Sequence, residues 1–211
     1  MTQPQDATAG PTYARRLQRL STATWKTQLD VQAPYRWHLR YLQLGRVLDV
    51  GCGIGRNLAH LQGNGIGVDH NPTSVMLARF DGWTAYCPAE FLTSPHARSG
   101  AFDSLLLAHV VEHLSRAQGE QLMADYVGYL RPGGRIIVIT PQERGYASDD
   151  THIRFVNLAE SCDLLAAAGA TVERTYSFPF TRAIGKVFPY NEFVAIGRLP
   201  SYPGVIPIPF S

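Results

Sequence analysis

A short apolar strand that runs straight into a glycine-dense turn and then into a helix constrains this chain more than any other feature. Arg46-Val-Leu-Asp-Val50 leads into Gly51-Cys-Gly53-Ile-Gly55, and Arg56-Asn-Leu-Ala-His-Leu61 follows. Closely spaced glycines let the backbone turn sharply and come close to a ligand. A strand–turn–helix junction of this kind is where open α/β sheets bind their ligands. The alternation continues downstream, with strands expected at 65–69, 84–87, 102–108 and 135–140. Asn71-Pro72 opens a helix over 72–80. Ser115 with Gln118, and Asn157 with Glu160, form capping boxes for helices running to about Leu130 and Gly169. Strands at 171–177 and 191–198 have no full helix between them, so one of the pair runs antiparallel. The fold class predicted is therefore α/β: a Rossmann-like, seven-stranded, mostly parallel sheet with helices on both faces and a C-terminal antiparallel hairpin.

The chain has 211 residues, 45% hydrophobic and 17% charged, which suits a single domain over 1–211 with a sizeable core. Within it, 1–11 reads as a frayed leader, 12–44 as a helical preface, 45–199 as the catalytic core and 200–211 as a tail. The net charge of +2, from 19 basic and 17 acidic side chains, is far from the concentrated positive charge that binds phosphate backbones, so no nucleic-acid partner is expected. No apolar run approaches the ~20 residues that span a bilayer, and the first residues carry neither a basic flank nor an apolar signal core. A cytoplasmic protein without a stable membrane anchor is expected. Cys52, Cys87 and Cys162 then read as reduced thiols.

Asp49 lies two residues before Gly51, where a carboxylate can face a cationic group. A dinucleotide fold would keep that region free for pyrophosphate. Asp69 follows 20 residues after Asp49 at the end of the second strand, where a carboxylate can accept hydrogen bonds from both ribose hydroxyls. The competing reading makes Asp69 a cap for the helix at Asn71.

At these residues the chain resembles the class I S-adenosylmethionine-dependent methyltransferases, from about Leu44 to Leu199. The resemblance covers the glycine motif, Asp69, Phe102-Asp-Ser-Leu-Leu-Leu-Ala-His109, Arg131-Pro-Gly-Gly134 and the C-terminal hairpin. It implies S-adenosylmethionine as cofactor, held at Asp49, Gly51, Gly53, Gly55 and Asp69, with His70 and Ala108 bordering it. Members often carry an acidic residue after the third strand that faces adenine. Here Cys87-Pro-Ala-Glu90 stands in its place with Pro88 at the acidic position, leaving the Ala89 backbone or Glu90 for that task.

His109-Val-Val-Glu112-His113 follows the fourth strand, and His152 lies beyond the fifth in Asp149-Asp-Thr-His-Ile-Arg-Phe155. On a helical turn, positions i, i+3 and i+4 share a face, so His109, Glu112 and His113 are expected to point together, with His152 joining from the next loop. Three imidazoles and a carboxylate can bind a divalent metal such as Mg²⁺ or Mn²⁺, and a nitrogen at position 109 tilts the set toward Mn²⁺, Fe²⁺ or Zn²⁺. Packing and hydrogen bonding explain the same residues without metal. The cluster resembles that of the small-RNA 3′-end 2′-O-methyltransferases, which hold Mg²⁺ on a Glu-x-x-Glu-His and a later His, and the quinone-pathway O-methyltransferases have a related run. A hydroxyl acceptor needs proton removal or metal polarisation at neutral pH, so His109 and His113 are the candidate catalytic bases.

A vicinal diol would use a metal with two open positions. The leading expectation is thus O-methylation of a small molecule, a sugar or other diol, and the whole chain also resembles actinobacterial sugar O-methyltransferases. Alternatives are methylation of a quinone-type phenol or of an RNA 3′ end, an NAD-dependent oxidoreductase, and a non-catalytic binding protein. His60 and His70 read as surface residues, His38 and His96 as residues without an evident partner. Trp25, Tyr35 and Arg36 read as a core stripe or a cover for the cofactor. Phe178 to Tyr190 reads equally as an acceptor-pocket wall and as a hairpin loop.

Overall fold

The computed structural model describes residues 32–201. Of the preface it shows one helix, α1 (Ala33–Tyr41), with Pro34 inside its first turn and His38 and Leu39 buried. Trp25, the leader and the end of the tail lie outside the described residues. Then follow β1 (Val47–Val50), α2 (Arg56–His60), β2 (Gly65–Val68), α3 (Pro72–Phe80), β3 (Ala85–Tyr86), α4 (Pro88–Leu92) and β4 (Phe102–Ala108). A 3₁₀ turn (Val111–His113), α5 (Arg116–Val127), β5 (Leu130–Pro141), α6 (Glu143–Tyr146), α7 (Leu158–Ala167), β6 (Thr171–Phe178) and β7 (Glu192–Arg198) complete the order, with a second 3₁₀ turn, Arg182–Lys186, between β6 and β7.

The seven strands form one sheet in the order β3-β2-β1-β4-β5-β7-β6. β1 to β5 are parallel, and β7 runs antiparallel to both β5 and β6. The strand order therefore reverses between β1 and β4, and the crevice at that switch point is where such sheets receive ligands. The fold is the one expected from the alternation of strands and helices.

Side-chain alternation explains the two-faced core. Leu105 and Leu107 of β4 with Ile136 and Val138 of β5 meet Phe91, Met123 and Leu165 on one face. Leu106, Ile137 and Ile139 turn the other way to meet Leu39 and Leu42 from α1. β6 is the exposed edge, and its Glu173 and Arg174 are charges of the kind that keep a bare edge from pairing with another chain.

Three elements differ from the sequence reading. α4 and α6 are too short for apolar periodicity to announce them. Arg131-Pro-Gly-Gly134 does not precede β5 but lies inside it as an irregularity: Phe102 pairs with Leu130 while Ser104 pairs with Arg135, and Gly133 takes φ +71°.

Candidate active site

The loop after β1 takes the left-handed conformations that glycine permits, with φ +78° at Gly51, +54° at Gly53 and +87° at Gly55. Close approach is part of the reason, although to protein as well as to ligand. A Cβ on Gly51 would lie 2.3 Å from Val110 Cγ2, and one on Gly55 would lie 2.7 Å from Trp83 Cδ1.

Asp69 braces this loop: the Gly53 N–H donates to Oδ2 at 2.7 Å, and the Asn71 N–H donates to Oδ1 at 2.8 Å. The cap itself is Asn71, which accepts from Thr73 and Ser74, so the two readings of Asp69 meet in one residue. Each of its oxygens has capacity for a further hydrogen bond.

Asp49 is fully buried. Its Oδ1 accepts from Asn57 Nδ2 at a long 3.5 Å, and Oδ2 has no hydrogen-bond partner. Burial raises its pKa to about 7, against the Asn57 contact, with the Asp69 charge adding to the rise. A buried carboxylate left half-satisfied above a glycine loop fits the cationic amino group of a methionine moiety, and this is the observation in the chain that matches S-adenosylmethionine.

At the adenine end, His70 is half-exposed with Nδ1 3.7 Å from Asp69 Oδ1. Glu90 turns away from the crevice: its Oε2 accepts from the Cys87 N–H at 2.9 Å and from Arg79 at 2.6 Å. That cap and ion pair hold its pKa below the usual carboxylate range. Ala89 lies in the first turn of α4, where backbone N–H groups have no partner within the helix.

The histidine cluster departs from its expected shape. His109 is not on the helical turn. It ends β4 with φ +59°, its N–H donating to Ile139 O at 2.9 Å, so the shared-face spacing does not reach it. Its ring bridges two carboxylates instead, with Nδ1 3.3 Å from Glu112 Oε1 and Nε2 2.8 Å from Glu192 Oε1. Desolvation opposes charge on the ring, but the two carboxylates outweigh it and raise the pKa to about 10. With Nε2 hydrogen-bonded to Glu192 and Nδ1 turned to Glu112, the ring stands outside the group formed by Glu112, His113 and His152, so the expected four-residue cluster is a three-residue one.

The other three residues do converge. One ligand atom each from Glu112, His113 and His152 lies within 4.8 Å of the others. Glu112 is fully buried and neither carboxylate oxygen has a hydrogen-bond partner. Its carbonyl accepts from the N–H groups of Ile153 and Arg154, which fastens the His152 loop to the 3₁₀ turn. His113 Nδ1 donates to Thr151 O at 3.1 Å and His152 Nδ1 to Tyr146 O at 2.7 Å. Both rings are thus fixed in the tautomer that leaves Nε2 a bare lone pair, as in metal-binding histidines whose other nitrogen is anchored. Burial lowers the His113 pKa, which favours the neutral ring. Two imidazoles and one carboxylate form a donor set suited to a divalent transition metal, with positions left open.

Beside this cluster, a small cleft opens between α1, α2 and the ends of β4, β5 and β7, with Tyr35, Arg56, Asn57, Ala108, His109 and Glu192 among its walls. His38 is no orphan: it is stacked on Phe178 at 4.1 Å, with Nε2 2.5 Å from Tyr176 Oη. His96 Nδ1 accepts from Arg46 at 2.9 Å. His60 is buried, contrary to the surface reading. Tyr35 serves both expectations, lining the cleft while its phenol donates to Tyr190 O. Glu192 went unnoticed in the sequence. Its signal was positional, since an antiparallel strand begins at the edge where the parallel strands end.

Residues 48–138 match a methyltransferase domain family. The chain is 33% identical over 103 residues to the ribosomal protein L11 methyltransferase of Ralstonia pickettii, a match covering 47% of this chain and 33% of that protein. It is also 33% identical over 115 residues to the tRNA U34 carboxymethyltransferase of Saccharophagus degradans, covering 49% and 34%. The chain spans about a third of the length of these curated relatives. Among solved structures it resembles a SAM-dependent methyltransferase from Archaeoglobus fulgidus, with a TM-score of 0.62 and 19% identity, over 78% of this chain and 92% of that one. By its domain match over 48–138 and by its fold, the chain is similar to S-adenosylmethionine-dependent methyltransferases.

Proposed function

We propose that the protein methylates a hydroxyl of a small molecule, a sugar or other diol, and that a divalent metal at Glu112, His113 and His152 assists. One observation carries the reading: a fully buried carboxylate without a hydrogen bond faces two imidazoles whose Nδ1 atoms are already committed. His109, 3.3 Å from Glu112 Oε1, is shared with Glu192, so one imidazole faces two carboxylates and leaves negative charge for a further cation to meet. S-adenosylmethionine supplies the methyl group. The metal would supply polarisation of the acceptor hydroxyl, whose ordinary pKa is far above neutral.

The chain's own residues divide the remaining work. Asp49 and the 51–55 loop hold the cofactor's methionine part and Asp69 its ribose. Thr151 O and Tyr146 O orient the two imidazoles. His109, already protonated, balances the charges of Glu112 and Glu192. The curated relatives are named for a ribosomal protein and a tRNA, but they share only about half of this chain, and a net charge of +2 gives RNA little long-range attraction.

The test is a methyl-transfer screen of sugars and phenols with and without EDTA, with a ribosomal-protein and a tRNA arm. Transfer to a hydroxyl compound that chelation abolishes is expected. Full activity after exhaustive chelation would remove the metal and leave the bare Nε2 of His113 as the proton acceptor; transfer to protein or tRNA alone would move the acceptor class.

A further inference from the structure

The sheet carries a second depression, at the edge away from the glycine loop. Ile137 and Ile139 of β5 and Val194 and Ile196 of β7 belong to the apolar cluster beneath α1. Alternation puts Arg135 and Arg198, two residues further along each strand, on that same face, and the two arginines are directly opposed partners in the antiparallel ladder. Like charges so placed destabilise a sheet. Arg131, from the irregularity in β5, lines the same depression as both of them, with Asp103 alongside. The strand from Arg135 to Pro141 at its ligand-binding end is about 20 Å long, so this depression is no part of the candidate active site.

Carboxylates neutralise two of the three guanidinium groups. Arg131 Nε donates to Asp103 Oδ1 at 2.5 Å, and Arg198 Nε donates to Glu173 while its Nη1 donates to Gly133 O at 2.9 Å. Arg135 has only carbonyl partners among the described residues: Nη2 donates to Leu42 O at 2.8 Å and to Gln43 O at 2.6 Å, just past α1. Those bonds fix the group while leaving its Nε and Nη1 without a hydrogen bond among the described residues. The charges acting on Arg135 are Arg198, Glu173, Arg131 and Asp103, so three cations stand against two anions and one positive charge is left over. Arg46 adds to that excess, because only its main-chain N–H reaches Asp103, and its side chain turns to His96 and Ala101 O. Burial first and Arg198 second hold Arg135 below the usual arginine range, as expected of a half-buried cation beside another.

This surplus selects the ligand's charge, and the donors select its shape. A cation would be repelled, and a neutral molecule would leave the charge unmet. A carboxylate presents two oxygens in one plane and is matched by a single guanidinium fork. Three guanidinium groups around one depression instead suit a tetrahedral oxyanion, whose oxygens accept on several sides.

We propose that the depression lined by Arg131, Arg135 and Arg198 binds a phosphate group, either as the free ion or as the monoester of a small molecule. The site is independent of the methyl acceptor's identity.

Isothermal titration of the full chain at low ionic strength tests it. The probes are inorganic phosphate, glycerol 3-phosphate, acetate and a short oligothymidylate, and the proteins are wild type, Arg135→Gln, Arg198→Gln and Arg116→Gln. Arg116, exposed on α5 and paired with Glu120, controls for the loss of one positive charge. At least one phosphate compound should bind wild type, with acetate about tenfold weaker or more. Its affinity should fall about tenfold or more in Arg135→Gln and Arg198→Gln, which lose charge-assisted donors, and change less than about twofold in Arg116→Gln. Free phosphate binding as well as the ester would assign the site to the ion, and a tighter ester would assign it to a phosphorylated small molecule. Phosphate should also raise the melting midpoint of wild type more than that of Arg198→Gln, a reading that stands even if Arg135→Gln, which loses its hold on the end of α1, does not fold. The proposal is overturned if neither phosphate compound binds, if acetate binds as well, if Arg116→Gln loses as much affinity as the site variants, or if the oligonucleotide alone binds.

Discussion

Adding a divalent transition metal should stabilise the wild-type protein, and Glu112→Gln should erase that gain. Glu112 is fully buried, neither of its oxygens is hydrogen-bonded, and His109 Nδ1 stands 3.3 Å from Oε1. A desolvated carboxylate with so little compensation lowers the stability of the metal-free protein. A ligand that binds only the folded state stabilises it by RT ln(1 + [L]/Kd), about 2.7 kcal/mol at a hundredfold excess over Kd. In a chain of this size each kcal/mol moves the unfolding midpoint by roughly 2–4 °C. Mn²⁺ or Zn²⁺ at that excess should therefore raise the midpoint by about 5–11 °C. Glutamine keeps the shape and removes the charge, so the variant's shift should fall below about 2 °C, on the order of a cation's weak binding elsewhere on the surface. Glu192 still pairs with His109 in the variant, so no cation is stranded, and its metal-free midpoint should match or exceed that of wild type. Scanning calorimetry on chelator-stripped protein measures both quantities. Equal metal shifts in wild type and variant would refute the site, and a metal-free midpoint several degrees lower in the variant would refute the buried-charge reasoning behind it.

Further expectations concern the cofactor side and the core. Asp49, held at about 7, must give up its proton to meet an ammonium group, so S-adenosylmethionine affinity should be full above pH 7 and fall as pH drops below it; calorimetry that finds equal affinity at pH 6 and 8 would take Asp49 out of the site. Asp69→Ala should weaken the cofactor about tenfold or more, because it removes both a charged acceptor and the brace on Gly53; a variant binding as tightly as wild type would remove Asp69 from the site. Gly53→Val should abolish cofactor binding, since the residue takes φ +54°, a conformation that β-branched residues rarely adopt; tight binding by that variant would mean the loop does not hold the ligand. His38 is held at about 4 by burial first and by Arg174 second. The unfolded chain therefore binds more protons between pH 6.5 and 4, and stability in that window should fall with pH more steeply in wild type than in His38→Gln; identical denaturation curves across the window would contradict it.

The sheet was readable in the sequence because its signals are local. Capping pairs such as Ser115 with Gln118, and apolar runs such as 102–108, each fix an element within a few residues. The candidate cofactor residues could be placed for the same reason, since Asp49, the three glycines and Asp69 sit at the junctions of neighbouring elements. The cluster was only partly readable. Its three converging members were found by spacing, but the spacing argument assumed that the turn begins at His109, and the left-handed backbone there lies beyond what residue type reveals. Glu192 was invisible because its place depends on β7 running antiparallel beside β5, a pairing of residues 135–141 with 192–198 that no local pattern records.

The left-handed turn at His109 also explains how one edge of the sheet carries two kinds of chemistry. It ends the strand early and sends Val110 down onto Gly51, where a Cβ would fall 2.3 Å from the valine methyl. The cofactor loop and the segment bearing Glu112 and His113 are thereby in contact through their tightest point, and neither can shift without the other. The same turn sets the His109 ring at the wall of the cleft, between Glu112 and Glu192. A helical His109 would have added a third imidazole to the cluster and left Glu192 facing no cation. As folded, the His109 ring stands between the Glu112, His113 and His152 group and the cleft, and the glycine loop lies against the segment that joins them.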